Sequence, residues 1–234
     1  MEDVATNLEM IRRNIAKACK KSNRNPDDIT IIGVTKYSTI ERTKEALEAG
    51  VMHLGENRTD ELLHKYNQLG DVNASIHWHF IGTLQSRKVK DIVNEVVAIH
   101  SLDRESVAKQ IEKRATKPVD CFVQVNVSGE ETKHGLQPKE VLPFIKDMVA
   151  YEKVRIVGLM TMAPHVDDER VLRNTFQELA GLKEKVQREK WSHAPCEYLS
   201  MGMSNDYEIA IEEGATHIRI GSALVGSKKQ EANT

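Results

Sequence analysis

The chain has 234 residues, enough for one large domain or two small ones with a substantial hydrophobic core. Lysine and arginine total 33, aspartate and glutamate total 35, and the formal net charge is −2. Recognition of a phosphate backbone requires a clear basic excess, so this balance argues against a nucleic-acid partner.

The N-terminal segment predicts a helix within residues 1–24 that packs on the rest of the chain. Its apolar residues share one stripe at helical spacing: Val4, Leu8, Ile11, Ile15 and Ala18. The segment lacks the basic start and apolar centre of a signal peptide. No apolar run approaches the roughly 20 residues that span a bilayer, and three widely spaced cysteines fit a reducing compartment. We therefore expect a cytoplasmic protein with no membrane partner.

After this helix, short apolar runs alternate with polar segments of helical spacing. The apolar runs predict eight strands, at 29–34, 51–54, 77–81, 96–100, 119–127, 154–160, 196–199 and 216–220. The polar segments predict helices at 40–48, 57–68, 103–115, 138–150, 169–188 and 204–213.

Alternating strands and helices favour a parallel sheet with crossover helices. Eight strands close a (β/α)₈ barrel, and the chain length is near the roughly 250 residues typical of one. The alternative is an open, doubly wound sheet, but no glycine-rich phosphate turn follows the first strand, ITIIGVTKYS. We predict one α/β domain over residues 1–234, a (β/α)₈ barrel with an extra N-terminal helix and a flexible tail at 228–234.

Chemistry in such a barrel gathers at the carboxyl ends of the strands, where several polar side chains are expected. The loops after strands seven and eight often bind phosphate, and Ser200-Met201-Gly202 and Gly221-Ser222 follow those two runs. Backbone N–H groups can approach phosphate oxygens where glycine or serine stands. The alternative is that the two glycines only make tight turns.

Lys36 ends the first strand and faces the same mouth as this predicted phosphate site. A lysine amine beside an apolar wall has its ammonium form disfavoured and can attack carbonyl groups. A lysine opposite a phosphate site suggests a phosphorylated aldehyde or ketone held as a Schiff base, such as pyridoxal phosphate or a sugar phosphate. The alternative is a lysine that is simply solvated where the strand reaches water.

Two further patterns leave alternatives open. His77 and His79 share one strand face, but no third and fourth ligands stand at metal-binding spacing, so we predict no metal site. His79 could instead line the pocket. Asn57 could hydrogen-bond a ligand or cap the helix that follows it.

Seven motifs, taken together, resemble the pyridoxal phosphate homeostasis proteins. They run in order from about Val34 to Gly226: VTKY, HLGEN, WHFIGTLQSRK, VQVNVSGEETKHG, GLMTMAP, YLSMGMSNDYEIAIEEG and RIGSALVG. The resemblance implies a single (β/α)₈ barrel related to the N-terminal domain of alanine racemase. It also implies a pyridoxal 5′-phosphate cofactor.

The resemblance implies a role for several residues. Lys36 matches the lysine that forms a covalent aldimine with the cofactor, and Arg219 matches an arginine at the pyridine nitrogen. An arginine retains its proton at working pH, so it would keep that nitrogen unprotonated. The other implied cofactor-binding residues are Ser200, Gly221 and Ser222 around the phosphate, and Asn57, His79 and Met201 beside the ring.

The racemases carry a second domain that supplies a tyrosine base, and this chain ends shortly after its eighth strand. Two-base racemisation needs a group on each face of the substrate carbon, and only Lys36 is clearly placed for one. The resemblance therefore favours a non-catalytic, monomeric carrier in vitamin B6 and amino-acid homeostasis that can pass the cofactor to apoenzymes. The alternatives are an amino-acid racemase with a minimal site and a Schiff-base aldolase without a cofactor.

Overall fold

The computed structural model describes residues 3–130 and 134–226, in which eight parallel strands close into one barrel. Each strand pairs with its neighbour in sequence, and the eighth pairs with the first, as the sequence predicts for a (β/α)₈ barrel. The strands are β1 (Thr30–Val34), β2 (His53–Glu56), β3 (His77–Phe80), β4 (Ala98–Leu102), β5 (Val119–Gln124), β6 (Val154–Met160), β7 (Tyr198–Met203) and β8 (His217–Ile220).

Helices cover the outside of the barrel and connect successive strands. They are α1 (Val4–Lys21), α2 (Ile40–Glu48), α3 (Thr59–Leu69), α4 (Val89–Ile92), α5 (Glu105–Arg114), α6 (Val141–Asp147), α7 (Glu169–Arg188), α8 (Tyr207–Glu212) and α9 (Ser222–Val225). Short 3₁₀ segments lie at 26–28, 70–75, 86–88, 138–140 and 148–150.

Side-chain caps fix where several helices begin. Asp3, Thr39 and Asp168 each accept a hydrogen bond from a backbone N–H in the first turn of the helix that follows. The predicted N-terminal helix forms α1, and its apolar stripe is buried. Asn7 on α1 donates to the carbonyl of Leu224 at 3.0 Å, which ties α1 to α9 beside the barrel mouth.

Several strand bounds differ from the prediction, including those of β2, β4 and β5, and two further differences bear on the site. The seventh strand runs from Tyr198 to Met203 rather than over 196–199, so Ser200 and Met201 lie inside a strand and the loop begins at Ser204. The short helices α4 and α9 were not predicted, because four residues are too few to show helical periodicity. The predicted tail at 228–234 lies outside the described residues.

The main hydrophobic core lies between the sheet and the helices, and a small apolar cluster lies inside the barrel. That inner cluster contains Ala98, Phe122, Val157 and Met160. The remaining interior is polar, with buried histidine, serine and arginine side chains. The three cysteines, Cys19, Cys121 and Cys196, are free and buried. No helix within the described ranges is long and apolar enough to cross a membrane.

Candidate functional site

Lys36 stands one residue beyond the buried Thr35, at the carboxyl end of β1. Its side chain is exposed and makes no hydrogen bond or ion pair with the described residues. The structure thus leaves the amine accessible at the barrel mouth, but it does not place it against the apolar wall that the sequence argument required.

Lys36 lies in a turn whose backbone is strained. The next residue, Tyr37, has φ of 65°, the left-handed region that costs a non-glycine residue roughly 1–2 kcal/mol. The Ser38 amide closes the turn by donating to the carbonyl of Thr35 at 2.8 Å. Strained backbone of this kind persists only where surrounding contacts hold it, and it clusters at functional sites.

A buried ion pair lies directly under this turn and was not predicted from the sequence. Nζ of Lys65 on α3 lies 2.6 Å from Oε1 of Glu56 on β2, and both side chains are at most 2 % exposed. The same Nζ donates to the Thr35 carbonyl at 2.5 Å, and the Thr35 hydroxyl donates to Glu56 Oε1 at 2.7 Å. Lys65 shares the inward face of α3 with Leu62 and Leu69, and a lysine is rarely buried on such a face, so the residue type hid its burial.

Asn57 follows β2 and presents an unpaired acceptor. Its Oδ1 atom is buried and has no hydrogen-bond partner among the described residues. Helix α3 begins later, with Arg58 at the N-cap position, so Asn57 is not the helix cap that the sequence allowed. Gly82 packs against it so closely that a Cβ would lie 2.1 Å from the Asn57 carbonyl oxygen, which fixes the position of Asn57.

The loops after β7 and β8 meet beside β1, as the phosphate prediction requires. Gly221 caps α9, and a Cβ there would meet only Val34, at an ordinary 3.6 Å. Packing therefore does not demand glycine at this position, and the missing side chain leaves room for a ligand. Ser222 is exposed beside it, and Ser204 Oγ accepts from the Ala223 amide at 3.3 Å.

Gly202, in contrast, has a purely structural role. Its φ is 94°, and a Cβ would lie 2.7 Å from the side chain of Ala210 on α8. Ser200 is fully buried and is engaged by protein side chains inside the barrel. The polar group that the β7 loop brings to Gly221 and Ser222 is thus Ser204, which the sequence reasoning passed over because it ended the strand too early.

A chain of hydrogen bonds runs through the barrel interior from Arg219 to His53. Arg219 on β8 donates to Ser200 Oγ at 2.7 Å and to the Thr161 carbonyl at 2.9 Å. The chain continues from Ser200 to Nδ1 of His100 at 2.8 Å, from His100 to His79 at 2.9 Å, and from His79 to His53 at 2.9 Å. His79 therefore lies within the barrel, below the mouth.

The chemistry of Arg219 sets the direction of this chain. A guanidinium only donates, so Ser200 Oγ accepts from Arg219. Among the described residues, His100 Nδ1 is the one acceptor in contact with the Ser200 hydroxyl, which therefore donates to it. The neutral imidazole of His100 then carries its proton on Nε2 and donates to His79, which donates in the same way to His53. Every internal nitrogen in the chain is satisfied with each histidine neutral.

Burial keeps these groups in the protonation states that the chain requires. It lowers the pKa values of His79 and His100 well below 6.5, and neighbouring histidines lower them further. Burial likewise lowers the pKa of His217 to about 4 and that of Arg219 to about 10, where Asp206 partly offsets it. At neutral pH the histidines are therefore uncharged, and Arg219 remains a cation.

The remaining sequence candidates lie away from the mouth. Met201 is fully buried in the main hydrophobic core, so its side chain is not accessible from the barrel opening. His77 is exposed and stacks on His53 with ring centroids 4.6 Å apart. Within the described part of the chain, no group of three or more His, Cys, Asp or Glu side chains could hold a metal ion.

Among the described residues, the mouth thus combines an amine without a partner, an unpaired amide oxygen and an open loop junction. Lys36 and Gly221 flank the end of β1, and the buried cation of Arg219 on the paired strand β8 lies within the barrel interior. An amine can form a Schiff base with an aldehyde. Exposed hydroxyls and backbone N–H groups can donate hydrogen bonds to the oxygens of a phosphate. This set of groups fits a phosphorylated aldehyde.

Comparisons with known proteins identify the relatives of this chain. The family model described as alanine racemase, N-terminal domain, matches residues 6–229. The pyridoxal phosphate homeostasis protein of Aquifex aeolicus is 40% identical over 225 residues, which cover 95% of this chain and 97% of the relative. That of Escherichia coli is 32% identical over 236 residues, covering 97% and 98%.

Solved structures show the same architecture. PipY of Synechococcus elongatus matches with a TM-score of 0.83 at 28% identity in its structure with PLP bound, covering 95% of this chain and all of that one. An alanine racemase of Clostridium difficile matches with a TM-score of 0.76 at 17% identity, covering 98% of this chain and 58% of the racemase. The second likeness concerns the fold alone.

Proposed function

The chain belongs to the family of pyridoxal phosphate homeostasis proteins, and on that premise we propose that it binds pyridoxal 5′-phosphate as a Schiff base on Nζ of Lys36. The observation that carries the proposal is the accessible amine of Lys36, which has no partner in the described part of the chain, beside the open junction at Gly221. When bound, the cofactor supplies an aldehyde carbon and an electron-withdrawing ring.

The polar groups of the mouth have distinct parts in this proposal. Gly221, Ser222 and Ser204 hold the phosphate, because their small or hydroxyl-bearing side chains leave room for its oxygens. Asn57 supplies a hydrogen-bond acceptor beside the ring. Arg219 stays cationic at neutral pH, and a fixed cation opposes protonation of a neighbouring ring nitrogen.

We propose that the protein carries the cofactor rather than catalysing a reaction with it, and that it serves pyridoxal phosphate and amino-acid homeostasis by passing it to apoenzymes. Racemisation needs an acid or base on each face of the substrate carbon. The histidines of the interior have pKa values held low by burial, and they lie within a continuous hydrogen-bonded chain. They are therefore poor proton acceptors for a substrate at the mouth.

The test is an absorption spectrum of the purified protein with added pyridoxal phosphate, before and after borohydride, followed by peptide mapping. We expect a visible band that borohydride bleaches and an adduct on Lys36. The band should disappear in Lys36→Ala and persist in Lys44→Ala, which removes another exposed lysine, on α2. An adduct spread over surface lysines, or no adduct, would overturn the proposal.

A second measurement separates a carrier from a racemase. Alanine is incubated with the loaded protein in heavy water, and exchange of its α-proton is followed by NMR. We expect no exchange above that of free pyridoxal phosphate. Exchange that saturates with alanine and disappears in Lys36→Ala would favour the racemase instead.

A further inference from the structure

The buried ion pair under the β1 turn makes no hydrogen bond to Lys36 or to the junction at Gly221 within the described ranges. We propose that Thr35, Glu56 and Lys65, here called the Thr35 clamp, position Lys36 for the covalent bond. This inference rests on the proposed function, since it assigns positioning residues to the same site. In this proposal none of the three is a ligand contact: Lys65 holds the Thr35 carbonyl, and Glu56 holds the Thr35 hydroxyl.

The geometry of the clamp leaves Thr35 little freedom. Its carbonyl accepts from Lys65 Nζ at 2.5 Å, and its hydroxyl donates to Glu56 Oε1 at 2.7 Å. The two charged side chains come from different elements, α3 and β2, and meet only beneath Thr35. The carbonyl and the hydroxyl of Thr35 are thus both held by buried side chains, one residue before Lys36.

Stability of the fold alone does not explain a buried ion pair at this position. Two charges removed from water are often replaced by apolar side chains without loss of stability. Glu56 also leaves its second oxygen, Oε2, buried without a partner among the described residues. Oε1 of Glu56 thus accepts two hydrogen bonds and Oε2 accepts none. This arrangement fixes the position of Thr35 at the expense of satisfying the carboxylate.

The clamp holds the strained backbone of the residues that follow Thr35. Tyr37 adopts left-handed backbone, and the turn is closed by the Ser38 amide on the same carbonyl that Lys65 holds. If the carbonyl of Thr35 moves, the turn can relax to ordinary backbone angles, and Lys36 then points elsewhere. The clamp therefore keeps the strained turn populated in the free protein.

The competing explanation is that the three residues only stabilise the fold. Glu56→Leu combined with Lys65→Met separates the two explanations, because it replaces the pair by apolar side chains of similar size and leaves no unpaired buried charge. We expect this double variant to stay folded with a melting temperature near that of the wild type, because removing the buried charges offsets the loss of the Thr35 hydroxyl's acceptor. Tyr151→Phe is the matched control, since it removes a hydrogen bond to Glu105 at 2.6 Å far from the turn.

The first readout needs no cofactor. Hydrogen exchange of the Ser38 amide, measured by NMR in the unliganded protein, reports the bond to the Thr35 carbonyl. We expect exchange about tenfold faster in the double variant. This is the change in population of the closed turn that corresponds to the strain of one left-handed residue once the clamp no longer holds it. The control variant should match the wild type.

The second readout is the dissociation constant for pyridoxal phosphate, measured with and without Lys36→Ala. The double variant should weaken binding about tenfold when Lys36 is present and leave it unchanged in the Lys36→Ala background, since the clamp acts through Lys36. Equal weakening in both backgrounds, or none in either, would overturn the inference while the proposed function stands. A wild-type protein that takes up no pyridoxal phosphate would overturn the proposed function and, with it, this inference.

Discussion

Acid should unfold this protein through the histidines of its barrel interior. Burial lowers the pKa of His217 from 6.5 to about 4 and also lowers the pKa values of His53, His79 and His100. A histidine with a depressed folded pKa stays neutral when folded but takes up a proton when unfolded. The stability it contributes is therefore complete above about pH 6.5 and is lost as the pH falls toward the folded pKa.

The magnitude follows from the size of the shifts. For His217 alone, the drop from 6.5 to about 4 corresponds to about 3 kcal/mol, at roughly 1.4 kcal/mol per unit. The three other histidines act in the same direction. Burial raises the pKa values of Asp103 and Asp206, which opposes this loss only partly. Against a typical stability of about 5–15 kcal/mol, the contribution of His217 alone is a substantial part, and the other histidines add to it, so mild acid should strongly destabilise the protein.

Urea denaturation at intervals between pH 7 and pH 4.5 measures the effect. The free energy of unfolding should fall steeply below pH 6.5, and His217→Gln should reduce the slope by about one proton, roughly 1.4 kcal/mol per pH unit. His64→Gln, at an exposed histidine on α3, is the matched control and should leave the slope unchanged. A wild-type stability that stays constant from pH 7 to pH 5 would refute the reasoning.

Three further outcomes are expected. Ser200→Ala should cost about 1–3 kcal/mol in urea denaturation, because it leaves buried partners on Arg219 and His100 unsatisfied; a neutral change would contradict the chain. Lys190→Gly should add about 1 kcal/mol, since Lys190 adopts φ of 54° just after α7, and an unchanged melting temperature would count against this. The buried cysteines, whose thiol pKa values burial raises, should not react with a thiol reagent until denaturant is added; rapid labelling of the native protein would contradict their burial.

Hydrophobic periodicity was sufficient to predict the barrel, because each strand is an apolar run between helical segments. It was insufficient at β7, where the apolar run stops at Leu199 but the strand continues to Met203. The reason is that the barrel interior is polar at this level, so Ser200 faces inward and interrupts the run. A strand that buries a serine against an arginine cannot be distinguished from the start of a loop by hydropathy.

The site was predictable where a residue's position in the chain determines its position in the fold. Lys36 and Gly221 end neighbouring strands, so the topology alone brings them to the same mouth. The Thr35 clamp was not predictable, because a lysine side chain is usually solvated, whereas Lys65 lies on the buried face of α3. The packing of α3 against β2 brings Lys65 to Glu56 and Thr35, and the sequence pattern does not specify this packing.

The histidine chain limits how the barrel interior can be changed. Each internal member both accepts and donates, so replacing one by an apolar residue leaves two unpaired polar atoms in a space closed to water. A redesign that converts the interior to hydrocarbon would therefore have to exchange Arg219, Ser200, His100, His79 and His53 in a single step. Single substitutions within this chain are therefore destabilising, and sequence change by single replacements is expected at other positions.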